Sequence, residues 1–396
     1  MKKILFLHTG SEMYGADKVM LDLIINLDKT NYQPFVILPE DGILAETLRS
    51  INIKVDIVPY PVLRRKYFNI SGILKYIIEY FKYSKQLVQI AEKEQIDIIH
   101  NNTSAVLEGC YISKKLNIPL IWVVHEIIVN PKFVFKIICK IIAHYSTKVI
   151  VVSDDVKSHL LKSRQFNKDN IEVIYNSVDI KRFHPNNNCD YLYKEWNIPK
   201  SSKVFGMIGR INSWKGQGDF LKAANKVLKD NKNAYAVIVG GVYVGEEKYK
   251  TILFEKINKS PYKDRIIYSD YRKDTESIYK LFDIFVLPSI NPDPLPTVVL
   301  EAMATGKPIV GYAHGGICEM VKNKVNGYLV EPCNYELLAK SINKLLQNKK
   351  LCQSFGKKSL EILLNNFSVE RYANSYQKEY ESVIKEYNLQ KNKKRV

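Results

Sequence analysis

The feature that most constrains this chain is a rhythm. Short runs of β-branched and aromatic residues alternate with longer stretches of helical periodicity from one end to the other. That alternation signals βαβ units, in which parallel strands are joined by crossover helices and buried on both faces. In the first half the strand-like runs are 3–8, 34–38, 55–58, 96–100, 120–124, 149–152 and 172–175. In the second half they are 204–208, 234–239, 265–268, 284–287, 308–312 and 328–330. Between the halves, residues 178–203 hold Pro185, three consecutive asparagines and Pro199, which mark a seam. At 396 residues the chain is long enough for two such domains. The reading is therefore α/β, with two Rossmann-like doubly wound domains facing each other across a cleft. The first spans 1–180 and the second 200–367. A basic helical stretch, 368–390, is expected to return and pack on the first.

A chain that is 46% hydrophobic and 25% charged is neither disordered nor collagen-like. The greasiest region, 133–152, is broken by Lys136, Lys140, His144 and Lys148, so no spanning helix is expected. The first residues resemble the start of a signal peptide. Their apolar run is short and soon meets His8, Gly10 and Glu12, which suits a buried strand better. Six scattered cysteines without a C-x-x-C pair support neither a metal cluster nor a disulfide framework, and suit a reducing cytoplasm.

The net charge of +18 favours acidic partners: nucleic acid, nucleotides or an anionic membrane. From Ala339 to the end there are 13 Lys or Arg against five Glu, an excess of eight, and the final 391–396 reads as a frayed tail. A second basic cluster, Arg64-Arg65-Lys66, leads into 70–91, where Lys75, Lys82 and Lys85 stand among Ile, Tyr and Phe. At helical spacing this makes a basic, aromatic, amphipathic face. It suits a surface helix packed on a core, a membrane-surface helix, or both at once. No nucleic-acid reading motif accompanies the charge, so nucleic acid is not an expected partner.

Ligands of parallel α/β sheets bind beyond the carboxyl ends of the strands, and three motifs fall there. His8-Thr-Gly-Ser-Glu-Met-Tyr-Gly-Ala-Asp links the first strand to a helix starting near Ala16; Gly15 would let a phosphate approach backbone N–H groups. The loop lacks G-x-G-x-x-G and the Walker lysine, which argues against a nicotinamide or ATPase site. Gly209-Arg-Ile-Asn-Ser-Trp-Lys-Gly follows the first strand of the second half. Its Arg210 and Lys215, beside a helix N-terminus, suit a diphosphate. The third motif runs from Pro292 to Val310. In it Asp293 lies in a loop and Glu301 in the first turns of a helix that Thr297 begins. Carboxylates so placed can accept from vicinal hydroxyls of ribose or hexose; a paired acid for hydrolysis is the alternative use. Ala302, Met303 and Ala304 make that helix look buried, and a buried Glu301 needs a partner.

Taken together, Tyr14-Gly-Ala-Asp, Tyr175-Asn-Ser-Val-Asp-Ile-Lys-Arg-Phe-His-Pro, Gly209-Arg…Trp214-Lys-Gly, Asp293…Glu301-Ala-Met-Ala-Thr-Gly-Lys-Pro, Gly315-Gly…Glu319 and Asn326-Gly-Tyr-Leu-Val resemble the retaining glycosyltransferases of family 4, which have the GT-B fold. The resemblance covers nearly the whole chain and is most specific in the carboxyl half. It implies that Arg210 and Lys215 grip the donor diphosphate, with Gly15 beside it. Glu301 would hold the ribose and Asp293 the donor-sugar hydroxyls, with Leu295 and Thr297 in the same donor site. Asp270, Tyr271 and Arg272 would border the nucleobase. His125, at the end of a strand, would stand near the donor sugar and the attacking hydroxyl. One departure is visible. The family pattern is Glu-x7-Glu, and this chain has Asp293 at its first position, one methylene shorter.

The implied reaction moves a sugar from a UDP- or GDP-sugar to a hydroxyl of a lipid-linked or growing glycan in surface-polysaccharide synthesis. It would take place at the cytoplasmic face of the membrane, with the amino half reading the acceptor. Retention is ascribed to same-face attack, so Asp293, His125, Arg210 and Lys215 would assist without a protein nucleophile. No cofactor and no metal is expected, since no Asp-x-Asp signature is present. Rival readings are a nucleotide-sugar epimerase, a phosphorylase, and a non-catalytic subunit that binds nucleotide sugars.

Overall fold

In a computed structural model, which describes residues 1–64, 67–128, 131–243 and 245–393, a strand stands at each run read from the sequence. The strands form two parallel sheets in two compact units. One unit comprises Met1–Asn176 and the chain from Val369 onward; the other is Ser177–Ser368.

The first unit contains β1 (Lys2–Leu7), β2 (Tyr32–Leu38), β3 (Lys54–Ile57), β4 (Ile98–Asn102), β5 (Leu120–Val124), β6 (Lys148–Val151) and β7 (Ile171–Val173). Their order across the sheet is β3-β2-β1-β4-β5-β6-β7. The chain builds outward from β1 to β3, then crosses back to lay β4 on the other side of β1. Loops leaving β1 and β4 therefore diverge and open a crevice between them. Ile4, Leu5, Phe6 and Leu7 are all fully buried, as strands covered on both faces must be.

The helix Val369–Lys393 belongs to this unit and closes one face of the sheet. Tyr372, Tyr376 and Tyr380, spaced four apart on one stripe, join the core with Ile4, Phe6, Leu23 and Ile98. Each such ring contributes about 1.5–3 kcal/mol of apolar burial. Two of their hydroxyls have clear partners. Tyr380 shares a 2.6 Å hydrogen bond with His100 Nδ1, and Tyr372 donates to the Val19 carbonyl. The start of the basic tail, 391–393, continues this helix. The rest of the tail, 394–396, lies outside the described residues, as do Arg65 and Lys66 of the other basic cluster.

The helix Ile70–Lys93 has two apolar stripes. Tyr76, Leu87 and Ala91 are buried against the unit. A second stripe of Ile70, Ile73, Leu74, Ile77, Ile78 and Phe81 is exposed, with Ile70 at 84% and Ile78 at 68%. In helix Lys132–Tyr145, Phe133 and Ile137 are likewise exposed, next to Lys132 and Lys136.

The second unit contains β8 (Lys203–Ile208), β9 (Ala234–Val239), β10 (Ile266–Ser269), β11 (Ile284–Leu287), β12 (Ile309–Tyr312) and β13 (Gly327–Val330). The order β10-β9-β8-β11-β12-β13 repeats the switch, here between β8 and β11. The segment read as a seam packs into this unit. Leu192 and Ile198 are buried, Phe183 meets the Tyr279 ring edge-on, and Arg182 pairs with Glu276 at 3.0 Å. The prolines and asparagines there mark turns in a packed segment, not a free linker.

Candidate active site

The residues singled out in the carboxyl half all follow strand ends of the second unit. Arg210 and Lys215 lie on the loop after β8, Asp270 and Tyr271 after β10, and Asp293 to Glu301 after β11. The loop after β8 is a tight scaffold. The Asn212 carboxamide oxygen accepts from the backbone N–H groups of Trp214 and Lys215, and Gln217 Nε2 donates to the Arg210 carbonyl at 2.9 Å. Gly216 has φ of +81°, and a Cβ there would stand 1.8 Å from the Pro288 carbonyl oxygen, so only glycine fits. The helix Gln217–Asp230 begins directly after it with no side-chain cap, which leaves its first N–H groups to meet an anion.

The Lys215 ammonium reaches across the switch point to Asp293, Nζ to Oδ1 at 2.7 Å, and lies over the Trp214 ring. The other Asp293 oxygen accepts from Ser289 Oγ at 2.6 Å. Both side chains of the pair are largely buried. The two residues that the sequence assigns to diphosphate and sugar are thus one ion pair. Gly315 and Gly316 press on the same loop; the Gly316 N–H donates to the Asp293 carbonyl at 2.8 Å. A Cβ at Gly316 would lie 2.1 Å from the Pro294 carbonyl oxygen. The guanidinium of Arg210 stacks on Tyr243, 3.4 Å from the ring centroid.

Glu301, in helix Thr297–Ala304, is buried as expected, and Tyr279 is a partner, its hydroxyl donating to Oε2 at 2.8 Å. Leu295 is buried and Thr297 is half-buried at the helix start. Asp270 pairs with Lys250, which holds its carboxyl below the usual range. With Tyr271 it flanks the turn at Gly241, where a Cβ would lie 3.2 Å from Asp270 Oδ1. Tyr271 itself is exposed. Arg272 is turned to Glu195 and Asp274.

In the first unit, Gly15 opens the helix Gly15–Asn26. His125 directly follows β5, and its Nε2 lies 2.7 Å from Asn102 Oδ1. Burial pushes its pKa down to about 3, so the ring is neutral. The sequence points to His125 alone, and the structure surrounds it with partners. His8, at the end of β1, is buried with Nε2 at 2.5 Å from Asp17 Oδ1 and Nδ1 at 3.0 Å from Asn102 Nδ2. Asp17 also accepts from the Tyr14 N–H at 2.6 Å. Glu126 accepts from the N–H groups of His125 and Ser104. Two residues of this region, Met13 and Thr103, have φ of +80° and +106°, a strained conformation for side chains. His8 and Asn102 are 94 positions apart. They become neighbours because β1 and β4 pair at the switch point, which no local pattern announces. Tyr279 and Tyr243 also meet their partners, Glu301 and Arg210, across the sequence, whereas Ser289 and Gln217 act within their own loops and carry no motif that marks them. Among the described residues, no three His, Cys, Asp or Glu side chains gather as a metal site.

Residues 191–361 match the family model described as glycosyl transferases group 1, and residues 13–182 match that described as glycosyltransferase family 4. The chain belongs to the group 1 glycosyltransferases of family 4. This transferase is 27% identical over 385 residues to the Escherichia coli UDP-Gal:alpha-D-GlcNAc-diphosphoundecaprenol alpha-1,3-galactosyltransferase, covering 91% of this chain and 95% of that one. It is 25% identical over 397 residues to the Campylobacter jejuni N,N'-diacetylbacillosaminyl-diphospho-undecaprenol alpha-1,3-N-acetylgalactosaminyltransferase, covering 96% and 98%. In fold it is similar to Anabaena HepE, crystallised with UDP-glucose, at a TM-score of 0.84, 23% identity and coverage of 96% and 100%. The transferase fold thus consists of two parallel-sheet, Rossmann-like units. No helix among the described residues is long and apolar enough to cross a membrane.

Proposed function

We propose that this transferase moves a sugar from a nucleoside-diphosphate donor to a hydroxyl of a polyprenyl-diphosphate-linked glycan, with retention at the anomeric carbon, in the assembly of a surface polysaccharide. The observation that carries the reading is the loop after β8, where Arg210, Lys215 and an uncapped helix N-terminus lie at a topological switch point. Arg210, Lys215 and the helix N–H groups together supply the positive charge that a diphosphate needs as it departs. Lys215 pairs with Asp293. Binding would divide that pair, turning Lys215 to phosphate and Asp293 to a sugar hydroxyl. Glu301, held by Tyr279, takes the ribose, and Asp270 and Tyr271 border the base. As the bond from C1 to the phosphate oxygen breaks, the bond from C1 to the acceptor oxygen forms on the same face. The acceptor proton passes to the departing phosphate. Likeness to a UDP-Gal transferase and to a protein crystallised with UDP-glucose favours a UDP-sugar over a GDP-sugar.

The acceptor class rests on the undecaprenol-linked substrates in the names of both relatives, and it supports a reaction at the cytoplasmic face of a membrane. The exposed stripe of helix Ile70–Lys93 supports contact with that surface. Its apolar positions follow i, i+3, i+4, i+7, i+8 and i+11, with Lys75, Lys82 and Lys85 exposed on the same helix. Apolar insertion with flanking cations is how an interfacial helix meets anionic lipid. A second copy of the chain, bearing the same lysines, would be repelled.

Two experiments test the proposal. Purified protein is incubated with a panel of UDP- and GDP-sugars and undecaprenyl-diphosphate-linked acceptors, and nucleotide release and product anomeric configuration are read by NMR. One donor should give acceptor-dependent release of nucleoside diphosphate and a product of retained configuration. An inverted product overturns retention; acceptor-independent turnover points to an epimerase, and phosphate-dependent turnover to a phosphorylase. Separately, the protein should sediment with phosphatidylglycerol vesicles. The double variant Leu74→Ser with Ile78→Ser, which interrupts the exposed stripe, should cut that binding at least tenfold. Unchanged sedimentation overturns the membrane contact while leaving the reaction untouched.

A further inference from the structure

The hydrogen-bond chain in the first unit has a direction when His8 carries a single proton. Asp17 is acceptor-only when ionised, and against the cost of burial its hydrogen bond from His8 holds the carboxyl below the usual range. His8 Nε2, 2.5 Å from Asp17 Oδ1, must then carry the proton. In a neutral ring this leaves a lone pair on His8 Nδ1, which accepts from the Asn102 amide nitrogen at 3.0 Å. The Asn102 carbonyl oxygen stands farther from the same nitrogen, at 3.3 Å, and takes no proton from it in this form. With its amide nitrogen committed, Asn102 turns its side-chain oxygen to His125 Nε2, 2.7 Å away, and that nitrogen must be protonated too. The His125 lone pair is then on Nδ1, for which no hydrogen-bond partner stands among the described residues. The amide orientation follows from the network. A second proton on His8 would reverse it and pass the opposite tautomer to His125.

We infer that Asp17, His8 and Asn102 are positioning residues that fix His125 in the Nε2–H tautomer and so present Nδ1 as a hydrogen-bond acceptor. This rests on the transferase reading for its purpose, though not for its geometry. A lone pair at this place suits a hydroxyl of the donor sugar or of the attacking substrate. It does not suit a phosphate oxygen, which needs a donor. The relay therefore sorts His125 toward the carbohydrate and leaves the diphosphate to cations elsewhere. Asp17 is the source of the order because it sits in the first turn of Gly15–Asn26, where the Tyr14 N–H holds its second oxygen.

The test is a tautomer measurement on the full chain labelled with 15N-histidine, using long-range 1H–15N correlations at neutral pH. Wild-type His125 should appear as a neutral Nε2–H ring. Asn102→Ala should release His125 into a mixture of tautomers. Asn102→Asp should restore the proton on His125 Nε2, because a carboxylate still accepts from it, while taking from His8 Nδ1 the N–H that it accepts. In the transfer assay kcat/KM should fall about tenfold for Asn102→Ala and recover most of that loss in Asn102→Asp. A wild-type His125 found as the Nδ1–H tautomer or as an imidazolium overturns the inference. So does a His125 whose tautomer is the same in Asn102→Ala as in wild type. The wild-type spectrum needs no variant to fold and no substrate to turn over, so its failure is separate from a failure of the transferase reading.

Discussion

The two units share one architecture and use it for opposite chemistry. Each has a parallel sheet whose order reverses beside its first strand, and each gathers polar side chains where the loops diverge. At the β8–β11 switch the groups are charged: Lys215 on Asp293, Arg210 on Tyr243, and an uncapped helix start. At the β1–β4 switch the Asp17 carboxylate orders, through His8, the uncharged side chains of Asn102 and His125. In the proposed reaction the difference matches what each would meet. A diphosphate needs compensating positive charge, whereas a hydroxyl needs only an oriented donor or acceptor. The same strand-end geometry serves both because the fold fixes where the side chains converge and leaves their chemistry to the loops.

That contrast can be broken most sharply at Arg210. Arg210→Ala removes a guanidinium that stacks on a tyrosine face and is not part of the buried ion pair. In the transfer assay kcat/KM should fall by about 10²–10³-fold with the melting temperature little changed. Lys215→Ala should differ in kind. It leaves Asp293 buried without its cation, so activity and stability should fall together, the latter by roughly 3–5 kcal/mol in chemical denaturation. Lys215→Ala combined with Asp293→Ala should recover part of the stability and none of the activity. Equal destabilisation by the single and double variants would show that the ion pair is not what holds this loop.

The first unit depends on a segment remote in sequence. Tyr376→Ala empties a fully buried ring site between helix Val369–Lys393 and the sheet, and should cost about 3–5 kcal/mol. Because the ring lies in the core of the first unit, the loss should appear there by hydrogen exchange, with β8 and β9 amides unaffected. Protection lost equally in both sheets would mean that the units do not unfold separately.

How much of this the sequence announces depends on range. Strands such as Leu120–Val124, Ala234–Val239 and Ile284–Leu287 appear with the same bounds, because continuous apolar runs between turn residues are local signals. Arg210, Lys215, Asp293 and Glu301 are legible as candidates because each stands in a short motif after a strand. Their pairings are not. The meeting of Lys215 with Asp293 depends on β8 lying beside β11, and that of His8 with Asn102 on β1 lying beside β4. Strand order is a tertiary fact that the alternation of elements leaves open. The amphipathic pattern at 70–91 is visible too, yet its period does not say which stripe is buried. Tyr76 and Leu87 face the unit, and the isoleucines at 70, 73, 77 and 78 face outward.

The smallest expected effect concerns another buried carboxyl of the first unit, one outside the relay. Glu108 is fully buried near Tyr60 and Tyr76, and burial pushes its pKa up to about 8. Its folded value is thus raised above that of the unfolded chain, so the native state binds the proton more tightly. The resulting contribution to stability is fully present below about pH 4.5 and is lost as pH rises toward about 8. Glu108→Gln keeps the shape and an acceptor for the Leu107 N–H while removing the ionisation. The variant should be more stable than wild type by roughly 2 kcal/mol at about pH 6, and the gap should widen as pH rises toward about 8. The two should converge below about pH 4.5, where wild-type Glu108 is protonated in both the folded and the unfolded chain. The contrast within the unit is then explicit: Asp17 keeps its charge because a histidine donates to it, and Glu108, buried and without a cation among the described residues, gives its charge up. A gap between the two unfolding curves that does not change with pH would show that Glu108 does not titrate in this range and that burial alone does not separate the two carboxyls.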